Sequence, residues 1–352
     1  MSRLRIRHLT GFSYKGEAVA SYNEARMLPA HTEGQFVLSS HLRIEPVAAT
    51  HEYIDYWGTR VSSFEVLLPH RQLSLTATSL VEIRPTVHPD SMMDWDDLAA
   101  VAGATTEFVE HLEQTPLTAP PADLAALARE LAGGTSSPCA AALAICERLG
   151  DAVSYLPGVT NVKTTASEAW EARAGVCQDI AHITVGALRA VGIPARYVSG
   201  YLHPRPHAEL RETVTGESHA WVEYFCGSWH GYDPTNLIEI GERHVVVGQG
   251  RDYRDVRRCA ASTQGRRTRS CSSRWRSRAR RDLRAGRAAD VGSAAGDVAV
   301  EQLQAGVLRH GVEPMGAEEG HDGGEGASTP RRRSGDVMPS NSMTRAQSPT
   351  SG

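Results

Sequence analysis

Three side chains that together could perform nucleophilic chemistry follow one another along the second half of the chain. Cys177 lies in AGVCQDIAHITVGALRAVGIPARYVSGYL, His219 in ESHAWVEYF and Asp233 in GYDPTN. A cysteine attacks as its thiolate, and an imidazole can take the thiol proton. A carboxylate can then fix the imidazole tautomer and stabilise the imidazolium. These residue types point to cysteine-dependent acyl transfer, provided that the fold brings them together.

The residues around Cys177 predict a helix that begins at the cysteine. Gly192 and Pro194 end this helix, and the following ARYVSGYL predicts a strand. Unpaired N–H groups and the helix dipole at the first turn favour an anion such as a thiolate. A free cysteine also packs well in a core, so its position alone does not decide its role. The predicted helix has one apolar face, formed by Ile180, Ile183, Ala187, Leu188 and Val191.

The base and the carboxylate are predicted to lie on neighbouring strands. His219 belongs to a segment that alternates as a strand does, and Asp233 ends the next strand, where Pro234 interrupts the ladder. Two antiparallel neighbours can set His219 beside Asp233, and their sheet can pack against the helix that Cys177 begins. The order of cysteine, histidine and aspartate on these elements is stronger evidence than any one of them.

Taken together, the three motifs resemble the transglutaminase-like superfamily, which has the papain-like cysteine fold, over about Leu4 to Val256. The resemblance implies that Cys177 is the nucleophile, His219 the base and Asp233 the orienting acid. It implies a thioester made from a glutaminyl or other amide carbonyl, which is passed to an amine or to water. The substrate is then a protein or a peptide.

The same resemblance suggests roles for residues near the thiol. The Cys177 N–H is expected to stabilise the oxyanion, and Gln178 is a candidate helper. Asp179 and Trp221 are expected to support or wall the site without reacting. No cofactor or metal is expected, and the calcium dependence of some animal members is not carried over because the sequence shows no acidic calcium loop.

The chain is predicted to have an α+β fold in three parts. Residues 1–88 read as an antiparallel β-domain with short alternating strands, and residues 89–256 as the papain-like core, a helix packed on an antiparallel sheet. Within this core ADLAALARELAGG and SPCAAALAICERLG predict two helices, the second with Ser137 as its cap. Cys139 and Cys146 are most simply core residues of that helix.

The third part, residues 257–352, is predicted to be a disordered tail rich in Arg, Gly, Ser and Ala. Between Arg257 and Arg287 there are twelve arginines, no lysine and few apolar residues. Members of the family often continue with Pro-Pro-Leu-Arg-Gly-Val-Tyr at this point. Back-translating VRRCAAST with GC-rich codons and inserting one C after the first codon gives VPPLRGVY. We therefore interpret the tail as frameshifted translation.

Three alternatives to acyl transfer remain open at this level. The same three residues would serve a cysteine peptidase or amidase that hydrolyses amides without crosslinking. The arginines of the tail could neutralise phosphates, although they lack a recognisable nucleic-acid-binding fold, so no specific nucleic-acid partner is expected. A binding-only relative is disfavoured by the complete set of Cys177, His219 and Asp233.

Composition limits the remaining possibilities. The 352 residues carry a formal net charge of −4, which favours no particular partner. The six cysteines show neither metal-ligand spacing nor a dense disulfide framework. No stretch reads as a signal peptide or a membrane span. We expect a reduced, cytoplasmic protein with no membrane partner, and the oligomeric state is left open.

Overall fold

The computed structural model describes residues 2–84, 93–205, 213–216, 218–264 and 269–280. The N-terminal part consists of β1 (Ser2–Ala18), β2 (Ala20–Ala25), β3 (Gln35–Glu45), β4 (Thr50–Ile54), β5 (Arg60–Val66) and β6 (His70–Ile83). Strands β1, β6 and β3 belong to one antiparallel sheet, and β2, β5 and β4 to another.

Apolar side chains from both sheets share one core. The first sheet contributes Phe12, Leu42 and Leu73, and the second contributes Phe64 and Val66. Burial alternates along β1 and β6 as expected for strands with one face inward. The predicted antiparallel β-domain is confirmed, and it is a sandwich. Its predicted limit at residue 88 lies outside the described residues.

The helices follow the sandwich in chain order. They are α1 (Trp95–Ala104), α2 (Val109–Leu112), α3 (Ala122–Gly133), α4 (Pro138–Ala152), α5 (Ala166–Ala172) and α6 (Cys177–Ala190). The Ser137 hydroxyl accepts a hydrogen bond from the Ala140 N–H at the start of α4, and Pro138 occupies the first helical position. Both predicted cap residues are therefore confirmed. No helix in the described ranges has the length and apolar character needed to cross a membrane.

Most of the remaining strands form the sheet that faces α6. Strands β7 (Ser154–Tyr155) and β8 (Ala174–Gly175) pair in parallel just before that helix. They are followed by β9 (Ala195–Leu202), β10 (Thr213–Gly216), β11 (Ser218–Phe225), β12 (Trp229–Asp233), β13 (Ile238–Glu239) and β14 (His244–Gly250). Five of them form an antiparallel sheet in the order β13-β12-β11-β9-β14.

Helix α6 lies at the centre of the main core. Ile180, Ile183 and Leu188 share an apolar cluster with Ala220 and Val222 of β11. The helix is buried on every side from residue 178 to residue 189, because α3, α4 and α5 cover the face that the sheet leaves open. The apolar pattern correctly predicted the helix, but the single apolar face was too narrow a description. A helix enclosed in this way holds its first turn rigidly.

The tail prediction needs a correction in two segments. Strand β15 (Cys259–Gln264) pairs with β2, and β16 (Arg269–Arg280) pairs with β1 and β10. Disorder from residue 257 onward is therefore wrong for these segments, because the edges of β1 and β2 offer backbone hydrogen bonds that do not depend on side-chain type. Residues 265–268 and 281–352 lie outside the described residues.

Candidate active site

Cys177 is the first residue of α6, as predicted, and a carboxylate fixes the turn that presents it. Asp179 Oδ2 accepts hydrogen bonds from the Val176 N–H at 2.8 Å and from Thr160 Oγ1 at 2.6 Å. A Cβ on Gly175 would lie 2.7 Å from Asp179 Cβ, so only glycine allows this approach. Asp179 thus ties the residues on both sides of Cys177 to the loop before α5. Burial raises the pKa of Asp179, and its two hydrogen bonds oppose that shift.

The structure brings His219 and Asp233 into direct contact. Nε2 of His219 lies 2.6 Å from Asp233 Oδ2, and both residues are buried. A carboxylate can only accept, so Nε2 carries the proton and Nδ1 is the nitrogen left for the thiol. The Cys177 thiol lies close enough to His219 to raise the pKa of the imidazole. The three residues that the sequence singled out therefore form one connected series.

Asp233 is held by more donors than the sequence suggested. The backbone N–H groups of Thr235 and Asn236 donate to Oδ1 at 3.0 and 3.2 Å. Nδ2 of Asn236 donates to Oδ2 at 2.8 Å, and Nε2 of His244 lies 3.4 Å from the same oxygen. Leu237, which follows this turn, has a φ of 54°, a left-handed conformation that is costly for leucine. The turn after Asp233 thus points two N–H groups at the carboxylate.

Sequence reasoning missed Asn236 and His244. Asn236 lies in DPTN, where an Asn three residues after an Asp also fits an ordinary turn. His244 lies at the start of β14, and the Gly241 N–H donates to its Nδ1 at 3.3 Å, so its Nε2–H points at Asp233. Nothing in RHVVV distinguishes this histidine from a structural one.

Electrostatics favour a charged histidine–aspartate pair. Burial opposes the imidazolium, but hydrogen bonds to Asp233 and Cys177 outweigh it and raise the pKa of His219. Burial likewise opposes the carboxylate, yet hydrogen bonds from His219, His244 and Asn236 keep the pKa of Asp233 below its usual range. Burial lowers the pKa of His244, so this second histidine stays neutral beside the pair. The Asp233 carboxylate therefore stabilises the charged form of His219, while His244 remains neutral.

The other predicted site residues occupy supporting positions. Gln178 lies in the first turn of α6 and is almost fully buried. Trp221 is fully buried, and a Cβ on Gly200 would lie 2.4 Å from its ring. The Trp221 ring meets the His244 ring edge to face at 5.3 Å and lies 6.2 Å from the His219 ring. The Trp221 ring therefore packs against both histidines.

Arg258 contacts the backbone behind His219. Its Nη2 donates to the carbonyl oxygens of His219 and Gly200 at 3.2 and 3.3 Å, and to Ser199 Oγ at 3.1 Å. This guanidinium joins β9 to β11 at the position of the histidine. Arg258 belongs to the segment predicted to be a disordered tail, and the sequence predicts no role for it.

Potential metal ligands come together away from Cys177. Among the described residues, one group of three qualifies by distance: the ligand atoms of Cys139, Cys226 and His230 lie within 4.8 Å of one another. The two cysteines are, however, joined in a disulfide that links α4 to the end of β11. The expectation of a fully reduced chain, with Cys139 as a simple core residue, is wrong here. Two cysteines 87 positions apart show their pairing only once the fold is known.

Two family models match most of the described sandwich and core. The Bacterial transglutaminase-like N-terminal region matches residues 4–82, and the Transglutaminase-like superfamily matches residues 125–234. An uncharacterized protein of Mycobacterium leprae (strain TN) is 40% identical over 256 residues, which is 73% of this chain and 91% of that protein. This chain belongs to the transglutaminase-like superfamily. The resemblance stated from the sequence is confirmed.

Two further similarities differ in what they support. A protein-glutamine gamma-glutamyltransferase of Pseudomonas aeruginosa is 33% identical over 145 residues, covering 37% of this chain and 21% of that protein. A solved structure from Cytophaga hutchinsonii, named by inference as a cysteine protease, has a TM-score of 0.59 and 23% identity. The match covers 77% of this chain and 90% of the C. hutchinsonii chain. At that identity the structure supports the shared papain-like fold and not a shared substrate.

Proposed function

We propose that this chain catalyses cysteine-dependent acyl transfer from amide substrates, with Cys177, His219 and Asp233 as its catalytic residues. The observation that carries the proposal is the 2.6 Å contact between His219 and Asp233, with Cys177 beside His219 at the start of a buried helix. That arrangement supplies a nucleophile, a base with its free nitrogen toward the nucleophile, and a carboxylate that fixes the base.

The reaction would run in two halves. In the first half the Cys177 sulfur attacks the amide carbonyl carbon, and its proton moves to Nδ1 of His219. The tetrahedral intermediate then expels the amine or ammonia, which takes that proton, and leaves a thioester. In the second half an amine or water attacks the thioester, gives its proton to His219, and the thiol recovers it. Asp233 remains ionised throughout and stabilises the imidazolium.

Charge on the carbonyl oxygen would be stabilised at the start of α6. The N–H groups of a first helical turn have no carbonyl partner within the helix, so the Cys177 N–H can donate to the oxyanion. Gln178 lies next to it and is our candidate for a second donor. Asp179 fixes the turn through the Val176 N–H and so keeps the donor in position.

The acceptor distinguishes our proposal from its main alternative. The γ-glutamyl transfer stated in the name of the P. aeruginosa relative favours a glutamine side chain as the acyl donor. A peptidase or amidase would use the same three residues and water as the acceptor. The reason to test this second function is the cysteine protease activity stated in the name of the C. hutchinsonii structure, since the shared fold alone does not separate the two functions.

One incubation tests both functions. The protein is mixed with a glutamine-containing protein and a labelled primary amine, with and without a chelator, and the products are analysed by mass spectrometry. Amine incorporation, deamidation and backbone cleavage each give a different mass change. We expect incorporation or deamidation that Cys177→Ala abolishes, while Cys146→Ala, which removes a thiol buried in the core, leaves it intact. If Cys177→Ala were as active as the parent chain, the proposed nucleophile would be wrong.

The reactive thiol can also be identified without a substrate. Limiting iodoacetamide near neutral pH should label Cys177 ahead of Cys146 and Cys259. Cys146 is fully enclosed, and burial raises its pKa well above the usual range, so it should react slowly. Cys259, which is partly exposed, is the sharper comparison. Equal rates at Cys177 and Cys259 would remove the evidence for an activated thiol.

A further inference from the structure

The loop that follows β7 borders Cys177 on one side, and two hydrogen bonds fix its position. The Leu156 N–H donates to the Gly175 carbonyl at 2.8 Å, two residues before Cys177. Thr160 Oγ1 donates to Asp179 Oδ2 at 2.6 Å, two residues after Cys177. Both ends of the segment between Leu156 and Thr160 are therefore tied to the turn that presents the thiol.

The side chains that this loop exposes are apolar. Leu156 is 47% exposed and Val159 is 58% exposed, with Pro157 exposed between them. No residue between Asp151 and Lys163 is charged. Scattered single apolar residues on a surface need no explanation, but Leu156 and Val159 are close neighbours on a segment whose two ends are tied to the turn that carries Cys177.

The loop has a defined shape before any ligand arrives. Pro157 restricts its own φ, and Gly158 has a φ of 86°, which places a Pro-Gly turn between the two apolar side chains. Parallel pairing of β7 with β8 anchors the start of the segment. A ligand that packs on Leu156 and Val159 would thus lose little free energy in ordering the loop.

We propose that Leu156, Pro157 and Val159 form an apolar subsite that binds an uncharged aliphatic or aromatic side chain next to the acyl-donor residue of a polypeptide substrate. This inference rests on the proposed function, because it takes Cys177 as the attacking group. The occupant is a substrate side chain because the loop is tied to residues on both sides of the thiol. A polypeptide held at the thiol can therefore place a neighbouring residue on this loop. The absence of charge in the segment disfavours acidic or basic neighbours.

Two alkylating probes can test the subsite without knowledge of the true substrate. N-iodoacetyl-leucine amide and N-iodoacetyl-serine amide carry the same reactive group and differ only in the neighbouring side chain. Their rates with Cys177 are measured by mass spectrometry and divided by their rates with a free thiol. We expect the leucine probe to react about fivefold faster than the serine probe. This ratio corresponds to about 1 kcal/mol, which is what burying roughly half of a leucine side chain on the loop contributes. In the double variant Leu156→Ser, Val159→Ser the preference should disappear.

The matched control changes two exposed leucines elsewhere. Leu67 and Leu68, which are 60% and 70% exposed between β5 and β6, are replaced by serine in a second double variant. This control should keep the preference for leucine. Iodoacetamide, which has no side chain, should label Cys177 at the same rate in all three proteins, so a loss of preference cannot come from a damaged thiol.

Three outcomes would overturn the subsite. The first is an equal rate for both probes in the parent chain, and the second is an unchanged preference in the loop variant. The third is a concentration-dependent dimer in sedimentation that only the loop variant abolishes, which would make a second copy of the chain the occupant. Failure of the proposed function would look different, because iodoacetamide would then not select Cys177 over Cys259.

Discussion

Replacing Asp233 with asparagine tests the electrostatic role of the carboxylate in the site. The clearest background is Cys177→Ala, in which His219 titrates without the thiol. The carboxylate accepts from Nε2 of His219 at 2.6 Å and stabilises the imidazolium more than the neutral ring. A hydrogen bond to a charged group contributes about 1.5–3 kcal/mol, and one pKa unit corresponds to about 1.4 kcal/mol. The pKa of His219 should therefore fall by about 1–2 units.

The same substitution should also reduce stability, for a reason that geometry supplies. Asp233 accepts from donors on both of its oxygens, whereas an asparagine amide offers one acceptor and one donor group. In one rotamer its NH₂ faces His219 and Asn236 Nδ2, and in the other it faces the N–H groups of Thr235 and Asn236. Each unsatisfied buried donor costs about 1–3 kcal/mol.

The assay is a pH titration of the histidine ring nitrogens by NMR, with urea unfolding measured in parallel. Asp252→Asn in the same background is the matched control, because Asp252 is also buried and accepts from Arg254 at 2.7 Å, yet it does not contact His219. It should lower stability without moving the pKa of His219. An unchanged pKa of His219 in Asp233→Asn would refute the argument. In the chain with its thiol intact, the same substitution should reduce turnover by orders of magnitude, and His219→Ala should abolish it.

Three further predictions concern packing, pH and the C-terminal strands. A Cβ on Gly150 would lie 2.1 Å from the Pro234 carbonyl, so Gly150→Ala should lower the free energy of unfolding by about 1–3 kcal/mol and reduce turnover. A Cβ on Gly103 would have no neighbouring atom within 4 Å, so Gly103→Ala should raise the free energy of unfolding, measured in urea, by about 0.5–1 kcal/mol. Burial, and secondarily a nearby arginine, lowers the pKa of His8 from 6.5 to about 3. The neutral ring therefore stabilises the fold above pH 6.5, and this stabilisation is lost as the pH falls toward 3. The slope is about 1.4 kcal/mol per pH unit, and His8→Gln should flatten it in denaturation curves between pH 7 and pH 4. Deleting residues 257–352 should lower the melting temperature and promote aggregation, because β1 and β2 lose their edge partners. If the truncated and full chains melted at the same temperature, β15 and β16 would contribute no packing.

The elements that position the site could be predicted because each carries a local signal. Gly175 before the cysteine, Ser137 before Pro138, and the alternation of ESHAWVEYF depend on residues within one turn or one strand. Helix α6 begins at Cys177, α4 begins after Ser137, and β11 spans Ser218–Phe225, as those signals indicated. Local sequence determines caps and periodicity, so these predictions held.

The contacts that complete the site could not be predicted, because they join distant segments. His244 of β14 reaches Asp233 of β12, although β9 and β11 lie between those two strands in the sheet. Thr160 reaches Asp179 across a loop and a helix. The disulfide joins α4 to the end of β11. A histidine, threonine or cysteine has the same local pattern with or without such a partner. Only the fold shows that these side chains meet.

The C-terminal strands show how far backbone pairing can be separated from the identity of the side chains. Strand β16 follows β1 from Arg3 to Tyr14 through main-chain hydrogen bonds, which an arginine-rich segment can form as well as an apolar one. Pairing therefore does not decide whether the reading frame changes after Val256. Position 258 separates the two frames chemically: the present frame has Arg258, whose guanidinium holds the backbone at His219, and the alternative has a proline that cannot donate. Resequencing the codons after Val256 decides between them, and Cys177, His219 and Asp233 precede the break in either frame.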